Sequence, residues 1–308
     1  MRRRWIALVS TNCAVASSAL AAAPAETVLS VPGYADFLVV DRTAVWVTNE
    51  GRVERWSKNG KLAEVAMSEP CGAMAIASGS LWVADCKDRT LNRIDLKTAR
   101  KIATIPTGIA NPKGELNVVA GAKSVWVASD YEGAIARVDP ASNHVVAKVR
   151  VDSGSYYLAY GFGSLWAVSA SRQSLQKIDP RTNAVVKRAH LGQSPGFMVA
   201  GEGAVWVQEQ GDGTVARIDP QTVKVSDRVK IGETLKYGDI DVGGGKVWLR
   251  TTADQTFVVI DAKSMKIRAR VGRSVGSGAL RYTRAGIWTT AHDLHTVSWW
   301  RTPAKIGN

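Results

Sequence analysis

Phe197-Met-Val-Ala200, Gly201-Glu-Gly203, Ala204-Val-Trp-Val207, Gln208-Glu-Gln-Gly-Asp-Gly213, Thr214-Val-Ala-Arg-Ile218, Asp219-Pro-Gln-Thr222 and Lys224-Val-Ser-Asp-Arg-Val-Lys230 follow one another in the chain. Read in order, they are four short apolar or alternating runs parted by turn residues, the content of four strands joined by hairpins. The phrase around Trp206 recurs as Ala44-Val-Trp46, Ser80-Leu-Trp82, Ser124-Val-Trp126, Ser164-Leu-Trp166, Lys246-Val-Trp248 and Gly286-Ile-Trp288. Successive tryptophans are 36, 44, 40, 40, 42 and 40 residues apart. A period near forty built only of short strands predicts propeller blades, because one such unit cannot bury both of its faces alone. The fold class is therefore all-β, a seven-bladed propeller.

The turn Asp219-Pro220 returns as Asp139-Pro140 and Asp179-Pro180, with the variants Asp95-Leu96 and Asp261-Ala262. Proline presets φ at the second turn position and the aspartate accepts bonds from the amides beyond it, so these acids build turns. The tryptophans are expected to pack between neighbouring blades as large apolar plates. The last unit lacks a fourth strand, and the chain start offers Thr27-Val-Leu-Ser-Val31. Both edges of a closed ring need partners, so this strand is expected to complete the seventh blade.

Residues 1–25 read as an export leader: Arg2-Arg-Arg4, an apolar run from Trp5 to Val15 too short to span a bilayer, then small residues up to Ala25. Either the general or the twin-arginine route fits Arg2-Arg3. Residues 26–308 form one domain, expected in the periplasm or secreted, and monomeric. Cys13 would leave with the leader. Cys71 and Cys86 flank the Ser78-Gly79 hairpin tip, and a two-residue hairpin there would set them directly opposite each other. A disulfide, two free thiols or a metal pair are the alternatives, and an oxidising compartment favours the disulfide.

The chain carries 40 basic and 27 acidic residues, a net charge of +13; without the leader arginines the balance is 37 to 27, or +10. Much of the excess falls on outer-strand positions such as Lys148, Arg150, Lys187, Arg188, Lys224, Arg228, Lys230, Lys266, Arg268 and Arg270. Such cations keep sheet edges apart, and they could also engage a polyanion or a nucleic acid. The chain has no His-Glu-Xaa-Xaa-His, no phosphate-binding loop and no dinucleotide fingerprint.

The unit Gly-x-Val/Leu-Trp-Val, Val-x-Arg-Ile-Asp-Pro-x-Thr, Lys-Val-x-x-x-Val-x-x-Gly resembles the YVTN-type β-propeller repeats of bacteria and the related streptogramin (virginiamycin B) lyase-like propellers. The resemblance spans essentially residues 26–308. It implies a loop face, formed by the four-to-one and two-to-three connections, on which ligands enter. In the lyases it implies histidine and glutamate beside a magnesium ion. No inner-strand start here carries a histidine, so none of those catalytic residues carries over.

The nearest acid–base pair is His292 with Glu50, on blades that neighbour each other in a closed ring. Glu115, Asp130, Tyr157, Tyr237 and Asp239 are the candidate ligand contacts on the same face. The reading favoured by these residues is a non-enzymatic propeller that binds a small molecule or a protein partner there. The alternatives are a lyase- or lactonase-like enzyme, with Mg²⁺ or Ca²⁺ held by axial carboxylates, and polyanion binding by the basic rim.

Overall fold

The structure, a computed structural model, describes residues 25–42, 44–109, 115–129, 133–235, 238–250, 256–273, 277–301 and 303–307. They form seven four-stranded antiparallel sheets. In blade 5 the strands are Pro195–Gly201, Ala204–Glu209, Thr214–Ile218 and Val225–Lys230, the four runs read from the sequence. The innermost strands are Leu38–Asp41, Pro70–Ala77, Asn117–Gly121, Ser155–Gly161, Pro195–Gly201, Asp239–Gly243 and Leu280–Thr283. Each touches the next in chain order and the last touches the first, which closes the ring. Among the described residues no helix is long and apolar enough to cross a membrane.

Closure follows the expected exchange. Glu26–Ser30 pairs antiparallel with Thr296–Arg301 and becomes the outer strand of blade 7. The bonds from the Val31 amide to the His295 carbonyl (2.8 Å) and from the Arg301 amide to the Ala25 carbonyl (3.0 Å) extend this pairing at both ends. The strand runs from Glu26 to Ser30 and so begins and ends one residue before its expected bounds.

All seven repeat tryptophans are buried between blades. Trp166, for example, packs with Val168, Leu175, Met198, Val205 and Val207 of blades 4 and 5. In blades 2 to 6 the indole N–H donates to the carbonyl five residues earlier, at 2.9–3.1 Å. The residue paired across the sheet from Trp82, Trp126, Trp166 and Trp206 is Arg93, Arg137, Lys177 and Arg217. Each places its cation over the indole ring, 4.9–5.8 Å from the centroid, an attraction set by the ring quadrupole. Three of the four then reach the Asp-Pro turn of the following blade. Arg93 donates to the carbonyl of Pro140, Arg137 to that of Pro180 and Lys177 to that of Pro220, at 2.6–2.7 Å. One repeat position thus covers the core plate of its own blade and stitches it to the next.

The outer strands of blades 1 to 6 share a β-bulge. Their register with the third strand slips by one residue, leaving Leu62, Ile102, Val146, Val186, Ser226 and Arg268 as the extra residue. Bulges twist an edge away from further pairing. The basic outer-strand positions are exposed as expected, though several are engaged: Arg228 with Glu209 (2.8 Å), Arg188 with Asp152 and Arg268 with Asp261 (both 3.3 Å).

Cys71 and Cys86 are bonded, with Cα atoms 6.0 Å apart. They do not face each other directly, however. Ala75 pairs with Trp82, but a bulge then shifts the register so that Cys71 pairs with Ala84. Gly72 sits in that bulge with φ +71°, and a Cβ there would strike the backbone of Leu116. Only glycine lets the two chains meet so closely. The disulfide therefore anchors the bulge against the start of blade 3.

Candidate functional site

Side chains reach the axis from the loop-face ends of the inner strands, in tiers set by the period of two. Nine residues before the repeat tryptophans stand Phe37, Ala73, Asn117, Tyr157, Phe197 and Asp239. All six line one axial cavity of about 220 Å³. Two residues further along each strand the same cavity is lined by Val119, Ala159 and Val199, and by Asp241 and Arg281. Above them lies a second cavity of about 370 Å³, whose wall includes Tyr34, Asp36, Glu50, Cys71 and Glu115. Phe37 belongs to both.

The aromatic tier spans the ring. The rings of Tyr157 and Phe197 lie 4.3 Å apart, and Phe37 of blade 1 lies 6.4 Å from Phe197 of blade 5. Irregular register at Ser155/Tyr157 and at Pro195/Met198 loosens these strand starts from the regular ladder. The Leu158 amide N–H donates to the Asn117 side-chain oxygen (3.1 Å), which fixes blade 4 against blade 3 beneath the tyrosine.

The acids fall into two groups. Asp239 is buried and ion-paired with Arg281, and it also accepts the amides of Ile240 (2.9 Å) and Leu280 (3.1 Å). Asp241 accepts the amides of Val242 (2.9 Å) and Tyr282 (2.8 Å); burial lifts it to about 6, held back by Arg281. Burial works against the Arg281 charge, yet Asp239 and Asp241 together outweigh it and hold the guanidinium more firmly protonated. These groups brace blade 6 to blade 7.

Asp36 and Glu115 form the other group and are half-buried on the upper cavity. The Asp36 amide donates to the Thr48 carbonyl (3.1 Å), and its own carbonyl accepts the Thr290 hydroxyl, so blades 1 and 7 both fix this residue. Burial raises the Asp36 carboxyl to about 7, with Asp239 and Asp293 adding to it. Burial raises Glu115 to about 8, and Asp36 and Asp239 push the same way. Burial also raises the Tyr157 phenol, with Glu115 foremost among the neighbouring charges. Carboxyls from blades 1, 3 and 6 therefore share one electrostatic environment at the axis.

His292 and Glu50 do not form an acid–base pair. His292 stacks on Tyr34, with centroids 4.1 Å apart, contacts the Tyr34 hydroxyl at 3.2 Å and pairs with Asp293. Burial lowers its basicity, Asp293 opposes this, and Arg250 and His295 add to the lowering. The ring fastens the segment that crosses from blade 7 to blade 1. His295 does likewise through the Gly33 carbonyl (2.5 Å). Glu50 lies on the upper cavity beside Tyr34.

Of the expected ligand contacts, Glu115, Tyr157 and Asp239 converge on the axis. Asp130 and Tyr237 lie outside the described residues. Sequence reasoning missed Asp36, Phe37, Phe197 and Arg281. Counting back nine residues from every tryptophan would have found Phe37 and Phe197, since the same count gives Tyr157 and Asp239. Among the described residues no three His, Cys, Asp or Glu side chains are placed to share a metal ion. Asp239 is already taken by Arg281.

The chain superposes on a selenomethionine-substituted virginiamycin B lyase from Staphylococcus aureus with a TM-score of 0.78 and 16% identity, covering 90% of this chain and 99% of that one. A streptogramin B lyase gives 0.75 and 15% identity over 90% and 96% of the two chains. Hydrazine synthase of Kuenenia stuttgartiensis gives 0.74 and 14% identity over 94% and 99%. No family model matches the chain, and no curated protein matches it in sequence. At these identities the shared property is the propeller fold, streptogramin-lyase-like in shape.

Proposed function

We propose that this protein works outside the cytoplasm as a binding propeller, seating a small organic cation in the axial funnel without transforming it. The observation that carries this reading is the stacking of two tiers. An acidic collar of Asp36 and Glu115 stands directly above a floor of Phe37, Tyr157 and Phe197. Carboxylates neutralise a cation while aromatic faces attract it, and neither demands the fixed coordination of a metal ion. A seated cation favours the charged forms of Asp36 and Glu115, against the burial that raises both. The Cys71–Cys86 bond and the leader-like residues 1–25 support an oxidising compartment.

Binding is favoured over turnover because the acid–base candidates are committed elsewhere, His292 to Tyr34 and Asp293, and Asp239 to Arg281. Thermal melts of the 26–308 chain with choline, spermidine, Mg²⁺ or Ca²⁺ test the reading. An organic cation at a hundred times its Kd should add about 2.7 kcal/mol, and Phe197→Ala or Glu115→Gln should abolish that gain. Affinity should rise between pH 6 and 8 as the two collar acids lose their protons. Stabilisation by Mg²⁺ alone, with ring opening of a streptogramin B, would replace this reading by a lyase-like one.

A further inference from the structure

The outer edge of blade 7 differs from the six others. Its strand, Glu26–Ser30, pairs with Thr296–Arg301 in unbroken register, whereas blades 1 to 6 each carry a bulge at their outer strand. It also contains no lysine or arginine, while the outer strands of the other blades all do. The two devices that blunt the other edges are both missing here.

The bonding parity shows which groups this edge offers. Ala25 and Val31 bond inward to Arg301 and His295, so by alternation Thr27 and Leu29 also face the neighbouring strand. The N–H and C=O groups of Glu26, Val28 and Ser30 point away from the sheet. Val28 is 55% exposed. Beside the edge, between blades 6 and 7, opens a cavity of about 370 Å³ lined by Glu26, Val28, Thr296 and Ser298 together with Arg250 and Arg273. Arg301, where the edge strand begins, is exposed too.

We infer that this edge receives an extended, acidic peptide segment of a partner protein, which adds to blade 7 as a fifth strand. Main-chain bonds to Glu26, Val28 and Ser30 would supply the pairing, and a cavity beside an added strand takes alternate side chains. The sign of the partner follows from charge. The edge strand's one charge is Glu26, and the arginines that border it, Arg250, Arg273 and Arg301, outnumber that acid on a chain with a large basic excess. A strand bearing carboxylates meets attraction there, and a basic strand meets repulsion.

Val28→Pro tests this cleanly, because the Val28 N–H faces outward and proline is tolerated on an edge strand. The probe is a fluorescein-labelled seven-residue peptide alternating glutamate with valine, and its lysine counterpart serves as the control. Anisotropy should show the acidic peptide binding the 26–308 chain at least tenfold more tightly than the basic one. Val28→Pro should weaken it at least tenfold and Val28→Thr should leave it unchanged. Hydrogen exchange on the unsubstituted chain needs no variant: the amides of Val28 and Ser30 should slow when the acidic peptide is added. Equal binding by the proline variant, preference for the lysine peptide, or unaltered exchange would each overturn the proposal. So would a dimer of this chain that Val28→Pro dissolves, since the edge would then serve a second copy.

Discussion

Blades 2 to 5 and the seam formed by blades 6, 7 and 1 solve the same packing problem in different ways. In blades 2 to 5 a cation from the third strand covers the tryptophan, and in three of them it bonds the next blade's turn. At the seam this device is broken. Val259 stands opposite Trp248, and the cation over that indole is Lys246 of the tryptophan's own strand, 5.9 Å from the centroid, which also donates to the Ile306 carbonyl (2.7 Å). Trp299 stands opposite Trp288 and packs on it at 4.8 Å. Arg55 turns to Asp41 (2.5 Å), and the Trp46 indole N–H has no partner. The seam also holds Asp36, Asp239, Asp241, Arg281 and His292. Repetition builds a rigid half-ring, and departures from it gather where the polar groups converge on the axis.

The sharpest way to break this comparison is to remove the closure. Deleting residues 26–30 leaves Thr296–Arg301 as a bare edge, removing about five paired positions. At ~1 kcal/mol each, this should lower the melting temperature by about 10 °C or more and broaden the transition. A truncated chain that melts like residues 26–308 would show that the seam closes without strand exchange.

The axial acids give the next largest effect, and its sign follows from their direction. Asp36 and Glu115 are raised to about 7 and 8 in the folded chain, so between pH 4 and 8 the folded state holds protons that the unfolded state has released. Stability contributed by these groups is therefore present below pH 4 and lost as pH rises to about 8. Urea titrations should show the Asp36→Asn/Glu115→Gln chain gaining about 1–3 kcal/mol on its parent between pH 5 and 8. The lowered His292 contributes the opposite slope, with stability lost as pH falls through its titration, and it is common to both chains.

The smallest effect distinguishes two regular blades. Arg137 covers Trp126 and bonds both the Pro180 carbonyl (2.7 Å) and the Asn183 side chain (3.0 Å). Arg217 covers Trp206 at the longer distance of 5.8 Å, and no bond from its guanidinium to the next turn accompanies it. Arg137→Ala should cost about 2 kcal/mol and Arg217→Ala about 0.5–1, measured by urea unfolding. Equal costs would mean that the stitch to the next blade adds nothing to the cation–ring contact.

Much of this was legible in the chain. The tryptophan period, the Asp-Pro turns and the incomplete last unit are local signals, and the blades, the ring and its closure followed from them. Cys71 and Cys86 were legible as a pair but not in register, because the bulge at Gly72 depends on the approach of Leu116 from the next blade. Glu115, Tyr157 and Asp239 were placed on the axis by their position at strand starts. Phe37 and Phe197 were overlooked, because an apolar residue opening a strand looks the same whether it faces a core or a channel.

The sequence by itself determined the architecture, since a forty-residue unit with one buried face has to repeat and close to hide that face. Tertiary structure alone decided which acids are chemically available. Asp239 and Asp36 are both aspartates near an inner-strand start, but Arg281 of the neighbouring blade satisfies the first and leaves the second facing Glu115. Packing of the blades about one axis brings those residues together from more than forty positions apart. Charge at the axis therefore depends on which blades become neighbours, and no local pattern in the chain records that.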